Sequence, residues 1–339
     1  MKKVRVGYIP LSKHSFDIEW AKKISHITIN ELKKNKMIEL IPVDIIFSDI
    51  EVISRICFLK EKSIDLLLIH FCTFCLGTII PKIFNEINVP VILLAMPEPT
   101  FDGSRIRSNA LCALNMNCHI LHKMSIEYRA YFGSLDSLKL RTEIERTILA
   151  IYAIKNINNK RIGLIGSRAP GFYTSNYDEL KLRKKFGVEI EHIDISKVYL
   201  IAEKVSNKEI LREMNYLNKN IGRNNNVAEK DTIKLLKLYT AFKRIAYDLG
   251  FDAFAIKCWP EFHEDYGIAI CPALGMLNSN DIMTSCEGDI YGVMTMIVQK
   301  SIAFSIPFFS DLVHIDESEN SGIFWHCGSA PRELAKNKS

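Results

Sequence analysis

The sequence predicts an α/β protein made of two Rossmann-like, doubly wound domains with parallel sheets, and three observations point there. Apolar runs rich in Val, Ile and Leu alternate along the chain with helix-length amphipathic stretches, the order expected of a sheet covered by helices. The runs are nearly unbroken by polar residues, which argues for strands buried on both faces and therefore parallel. The chain has 339 residues, more than one hydrophobic core usually supports, so two domains are expected, over 1–157 and 158–339.

Residues 4–9 read as the first strand, followed by a helix over about 16–34 and a second strand over 38–46. Residues 64–69 form the next apolar run, then come a helix over about 74–87 and a buried strand at 90–96. Gly7-Tyr8-Ile9-Pro10 lacks the further glycines of a Gly-x-Gly-x-x-Gly fingerprint, so a nucleotide cofactor is not supported. The loop from Pro97 through Glu98, Phe101 and Asp102 to Gly103 lies at a strand's carboxyl end, where open α/β sheets collect ligands. Glu98 and Arg107 are thus candidate substrate-binding residues, although the prolines alone also explain a surface turn there.

A helix over about 135–155 leads to 160–166, which restarts the strand pattern and opens the second domain. Gly166 to Tyr173 reads as a ligand loop or as a turn governed by Gly and Pro; no Gly-Lys-Ser/Thr ends it, so it is not a P-loop. The polar interruption at 218–230 holds Asn218, Asn220, Asn224, Asn225 and Asn226, and precedes a helix at about 231–249 and a strand at 252–257. Trp259 and Glu261 come after that strand's carboxyl end. They read as a sugar-stacking face and a hydroxyl-binding acid, or equally as a packed Trp and a solvated Glu.

The net charge of +5 is spread over helices that also carry acids, and aromatic residues do not interleave with the short basic stretches at Lys181 to Lys185 and at Lys336 and Lys338. They read as solvated faces, not as a nucleic-acid footprint. The nine cysteines lie mostly in apolar segments, and no secretory leader is legible because Arg5 and Pro10 interrupt the stretch after Met1-Lys2-Lys3. A cytoplasmic location with reduced thiols is expected. Cys72 and Cys75 form one Cys-x-x-Cys, which invites a zinc or thioredoxin-like redox reading; with no second Cys pair at finger spacing it reads instead as buried at the start of a helix. No apolar run reaches the roughly 18 residues needed to span a bilayer.

The chemistry concentrates near the carboxyl end. Glu287 in Cys286-Glu287-Gly288-Asp289, Asp311 in Phe-Phe-Ser-Asp, and His326 in Trp-His-Cys-Gly are two carboxylates and an imidazole near apolar structure, the ingredients of a divalent-metal site. Such donors suit hard ions, Mn²⁺ or Mg²⁺, with the His favouring Mn²⁺. Ser285 reads as the N-cap of the next helix, which would put Glu287 in its first turn and favour its ionised form. After Pro307 a buried strand is expected to carry Asp311 near its start. The bland alternative is a capping acid and a turn residue. His263 and His314 read as structural or surface residues.

Ala-Ile-Lys-Cys-Trp-Pro-Glu-Phe at 255–262, Gly-Ile-Ala-Ile-Cys-Pro-Ala-Leu-Gly-Met-Leu-Asn at 267–278, Cys-Glu-Gly-Asp-Ile-Tyr-Gly-Val-Met-Thr-Met at 286–296 and Trp-His-Cys-Gly-Ser-Ala-Pro at 325–331 together resemble the L-fucose/L-arabinose isomerase superfamily. The resemblance implies that Glu287 and Asp311 bind Mn²⁺ and shuttle the proton, with His326 similar in place to a third ligand. It also implies a homo-oligomer, hexamer or trimer, acting on a monosaccharide. Superfamily members continue into a β-rich C-terminal domain that supplies another His, which is expected here to be absent or rudimentary. A metal-dependent aldose–ketose isomerase is the implied activity; the alternative is a non-catalytic sugar-binding or interaction protein derived from one.

Overall fold

The computed structural model describes residues 3–100, 103, 105–220 and 227–335. Phe101, Asp102, Asn224, Asn225, Asn226, Lys336 and Lys338 lie outside the described residues. The chain divides into two compact units, 1–155 and 156–339. The first contains β1 (Val4–Leu11), α1 (Ile18–Lys33), β2 (Ile38–Pro42), α2 (Val52–Glu61), β3 (Leu66–Phe71), α3 (Ile79–Phe84), β4 (Val91–Ala95), α4 (Ala110–Lys123), β5 (Tyr128–Phe132) and most of α5 (Leu138–Ile157). Its five strands are all parallel, in the order β2-β1-β3-β4-β5.

The unbroken apolar strands are buried on both faces. In β3, Leu67, Ile69 and Phe71 pack with α2, α3 and α4, whereas Leu66 and Leu68 pack with α1 and α5. That alternation is the period-two geometry of a strand placed between two helical layers. Asp17 caps α1, accepting from Trp20 N at 2.8 Å. The helix expected over 74–87 is limited to α3, because Cys72 to Thr78 is a loop held by Thr73 Oγ1, 2.8 Å from Ser12 Oγ and an acceptor of Lys13 N. The Cys72/Cys75 pair therefore does not open a helix. Both thiols are buried, and burial pushes them up, Cys75 to about 12.

The second unit contains β6 (Arg161–Ile165), α6 (Glu179–Phe186), β7 (Glu189–Ile193), α7 (Ile195–Glu203), α8 (Asn207–Asn220), α9 (Glu229–Leu249), β8 (Ala253–Ile256), α10 (Glu261–Glu264), α11 (Cys271–Ser279), β9 (Met283–Ser285), α12 (Ile290–Ala303), β10 (Asp311–Asp316) and β11 (Ser321–Trp325). Four strands form a parallel sheet in the order β7-β6-β8-β9. Phe254 and Ile256 face the α7, α9 and α11 layer, and Ala253 and Ala255 face α6 and α12. Asp311 does begin a strand, but that strand is not buried as expected. β10 pairs antiparallel with β11 as a separate two-stranded hairpin whose apolar side chains Leu312, Val313, Ile315, Ile323, Phe324 and Trp325 are at least half exposed. Sequence hydrophobicity here marks an uncovered surface instead of a core strand. No helix among the described residues is long and apolar enough to cross a membrane.

A polar network crosses the first core: Tyr8 Oη lies 2.8 Å from His70 Nδ1 and 3.2 Å from Ser25 Oγ. Burial keeps the ring neutral, with its pKa lowered to about 3. In the unfolded chain the same imidazole takes a proton near about 6.5. As pH falls below that value the unfolded state gains a proton that the folded state refuses. Stability contributed by this residue is therefore intact above about pH 6.5 and declines by up to ~1.4 kcal/mol per pH unit on the way toward pH 3. Urea unfolding of the native protein and of His70→Gln across this range is expected to show a steeper decline for the native protein; parallel curves would contradict this assignment.

Candidate functional site

The loops that leave β6, β8 and β9 gather at the carboxyl edge of the second sheet, where the strand order reverses between β6 and β8. Crevices at such a reversal are the usual ligand sites of open α/β sheets. The turn after β9 is held tightly: Gly288 N donates to Ile256 O at 3.0 Å and Ala169 N donates to Glu287 O at 3.4 Å. Glu287 adopts left-handed backbone (φ 62°), an uncommon conformation for a residue with a Cβ. Gly288, also left-handed at φ 69°, has no room for a side chain, because a Cβ there would lie 2.5 Å from Ser167 O.

This geometry corrects the expected helix start. Asp289, not Ser285, is the N-cap of α12, accepting from Gly292 N at 2.8 Å, while Ser285 ends β9 and donates its hydroxyl to Asp289 O at 2.6 Å. Glu287 thus sits before the helix and outside its first turn, and the helix does not favour its ionised form. Burial instead pushes its carboxyl up, and the charges of Asp311, Asp289 and Cys271 push in the same direction. A half-buried acid facing like charge binds its proton more tightly than a free one does.

His326 is 7% exposed, and its Nδ1 accepts from Cys327 N at 2.9 Å, which places the proton of the neutral ring on Nε2. Nε2 is buried and has no hydrogen-bond partner among the described residues. Burial lowers its pKa, and the Asp311 carboxylate opposes that shift. Asp311 is thereby the electrostatic link between Glu287 and His326, acting from an exposed position at the start of the hairpin.

No group of three His, Cys, Asp or Glu side chains among the described residues converges as a metal cage. Glu287 and Asp311, whose charges act on one another, fit a hard cation by charge and donor type. His326 presents a proton from Nε2, so it would join as a ligand only by exchanging the bond between Nδ1 and Cys327 N.

Trp259 is 40% exposed and meets Phe172 edge-on at 5.8 Å. Glu261 pairs through Oε1 with Lys257 Nζ, and its Oε2 is buried without a partner. Burial works to raise that carboxyl, but the Lys257 ammonium outweighs it and holds it low. In the first unit, Glu98 takes four hydrogen bonds, from Arg107 N, from Ser108 N and Oγ, and from Asn109 N. Arg107 pairs with Asp17 at 2.6 Å. Both Glu98 and Arg107 are thus engaged in holding their own loop.

Sequence reasoning missed four thiols beside Glu287 and His326: Cys258 and Cys286 lie 2.7 Å apart, and Cys271 and Cys327 3.3 Å apart. Hydrogen bonds from Cys286 and Cys327 lower Cys271 to about 6, while Cys327 rises to about 12 through burial and its neighbours. The recurrence of Cys beside Trp259, Glu287 and His326 was the available signal. Arg168 lies in the Gly166 to Tyr173 stretch that reads as a ligand loop or a turn, but the sequence does not single it out within that stretch.

No family profile matches this chain. Sulfoquinovose isomerases of Priestia aryabhattai and Priestia megaterium are each 32% identical to it over 337 residues, covering 99% of this chain and 75% of their own. The sulfoquinovose isomerase of Alkalicoccus urumqiensis is 28% identical over 335 residues, covering 98% and 74%. Among solved structures, an ABC transporter solute-binding protein from Burkholderia multivorans aligns over 90% of this chain at 11% identity with a TM-score of 0.23, a similarity too low to inform fold or function.

Replacing Gly288 by Ala is expected to destabilise the second unit by roughly 1–3 kcal/mol through backbone strain, with a further cost from the collision with Ser167 O. Gly171 has a similar backbone (φ 79°) but open space around it, so Gly171→Ala is expected to cost less. Urea midpoints of the two variants check this; equal losses would show that the close packing under Glu287 contributes nothing.

Proposed function

This chain belongs to the sulfoquinovose isomerase family, a family of sugar isomerases, and from that premise we propose that it converts open-chain sulfoquinovose to the corresponding 2-ketose by proton transfer between C2 and C1. The observation that carries the mechanism is Glu287, a half-buried carboxyl raised by burial and by Asp311. A group so tuned can take a proton from carbon and give a proton back.

Glu287 removes the proton from C2 of the aldose, exchanges it with solvent while the sugar is an enediol and delivers a proton to C1, while the hydroxyl proton on O2 moves to O1; atoms and charge balance. The charge of Asp311 favours the protonated form of Glu287, the form that delivers to C1. His326, whose buried Nε2 proton has no acceptor among the described residues, would donate to a sugar oxygen that reaches it. Trp259 offers an aromatic face to the sugar's C–H surface.

The two carboxylates, Glu287 and Asp311, would hold Mn²⁺ or Mg²⁺, with His326 joining if its ring exchanges partners. Such an ion supplies Lewis acidity toward the carbonyl and its neighbouring hydroxyl. It would also relieve the repulsion between the acids.

Glu287→Gln keeps size and polarity but removes the proton carrier. Its rate of ketose formation is expected to fall by about 10²–10⁴ or more with thermal stability unchanged, measured by product NMR on sulfoquinovose. Native activity in that variant would exclude the role. Mn²⁺ is expected to raise the melting temperature of the native protein, and to do so less in Glu287→Gln and in Asp311→Asn. An equal rise in all three would place the ion elsewhere.

A further inference from the structure

We propose that Arg168 is the specificity-determining residue for the anionic end of the substrate, receiving the sulfonate carried on C6. The inference rests on that reading for the sulfonated substrate and for where C1 and C2 lie, beside Glu287.

Arg168 stands on the loop between β6 and α6, and its backbone packs directly on the turn that carries Glu287. A Cβ added to Gly288 would lie 3.0 Å from Arg168 Cα, and the next residue donates its N–H to Glu287 O. The loop is anchored at both ends, by Gly166 N donating to Ile193 O at 2.8 Å and by Phe172 against Trp259. The side chain is half-buried, with its guanidinium carbon 4.8 Å from the centroid of the exposed Tyr173 ring. Stacking of this kind restrains the planar fork without consuming its N–H donors.

Lys257 and Arg168 both stand at this edge of the sheet. Lys257 is neutralised by Glu261, whereas Arg168 makes no salt bridge among the described residues. A sulfonate offers three acceptor oxygens and a full negative charge, which a guanidinium fork binds in bidentate fashion. An open hexose chain places C6 four carbons beyond the reacting pair, a span comparable with an arginine side chain rooted beside Glu287. Carbonyl chemistry at one end and anion recognition at the other thus fit one extended substrate.

The test compares binding of sulfoquinovose with that of quinovose, the same sugar lacking the sulfonate, by titration calorimetry on native protein, Arg168→Gln and Arg168→Lys, each checked by its urea midpoint. The native protein is expected to prefer sulfoquinovose. In R168Q the ratio of the two affinities is expected to fall by roughly 10- to 100-fold, with R168K intermediate because it keeps the charge and loses the fork. A merely structural role would weaken both sugars by one common factor and leave the ratio intact. An unchanged ratio in R168Q and R168K, or no preference in the native protein, overturns the proposal. If the preference exists and is lost in R168Q while no ketose forms, Arg168 keeps its role and the isomerase reading fails instead.

Discussion

The left-handed turn at Glu287 is the constraint on which the rest of the site depends. It is held by Gly288 N on Ile256 O and by Ala169 N on Glu287 O, so the ends of β8 and β6 both fix the turn after β9. Only a glycine satisfies the next position, because Ser167 O and Arg168 Cα press against it. One backbone geometry therefore sets the acid, the cation-bearing loop and the helix start together. Asp289 caps α12, and Glu287 stands before the helix, outside its first turn.

Electrostatics then give that acid its character. Burial and the charge of Asp311 both favour its protonated form, and the same Asp311 charge bears on a buried imidazole whose Nε2 proton no group among the described residues accepts. The protein's own groups thus leave two acids in mutual repulsion and an unpaired donor. A hard cation and a polyhydroxylated substrate would answer both at once, which is the physical sense in which the site is poised. The four neighbouring thiols add to this: Cys271, lowered by its bonds to Cys286 and Cys327, places a further negative charge against Glu287.

The parallel strands are legible in the sequence because Leu66 to Phe71 and Val91 to Ala95 are apolar without interruption and turn residues bracket them. β5 is not, since Tyr128 to Phe132 is partly or fully exposed and carries no alternation. The hairpin misleads because Leu312, Val313 and Ile315 look like a core strand, and sequence hydrophobicity does not reveal whether anything covers it. Glu287, Asp311 and His326 are recognisable as residue types in a motif context. Their local geometry is not: Ser285 is as good a cap in sequence as Asp289, and only the packing of Gly288 against the β6 loop decides between them. Arg168 escapes notice because its meaning lies in a neighbour over a hundred positions away in the chain.

A carboxylate that carries a proton between two carbons of the sugar leaves an isotopic record, and exchange with solvent reads it directly. Sulfoquinovose incubated with the protein and Mn²⁺ in D₂O, followed by NMR, is predicted to yield ketose carrying solvent deuterium at C1. Ketose formed with protium retained at C1 in every turnover would indicate hydride transfer between the carbons and contradict proton transfer by Glu287, as would the absence of both ketose and exchange.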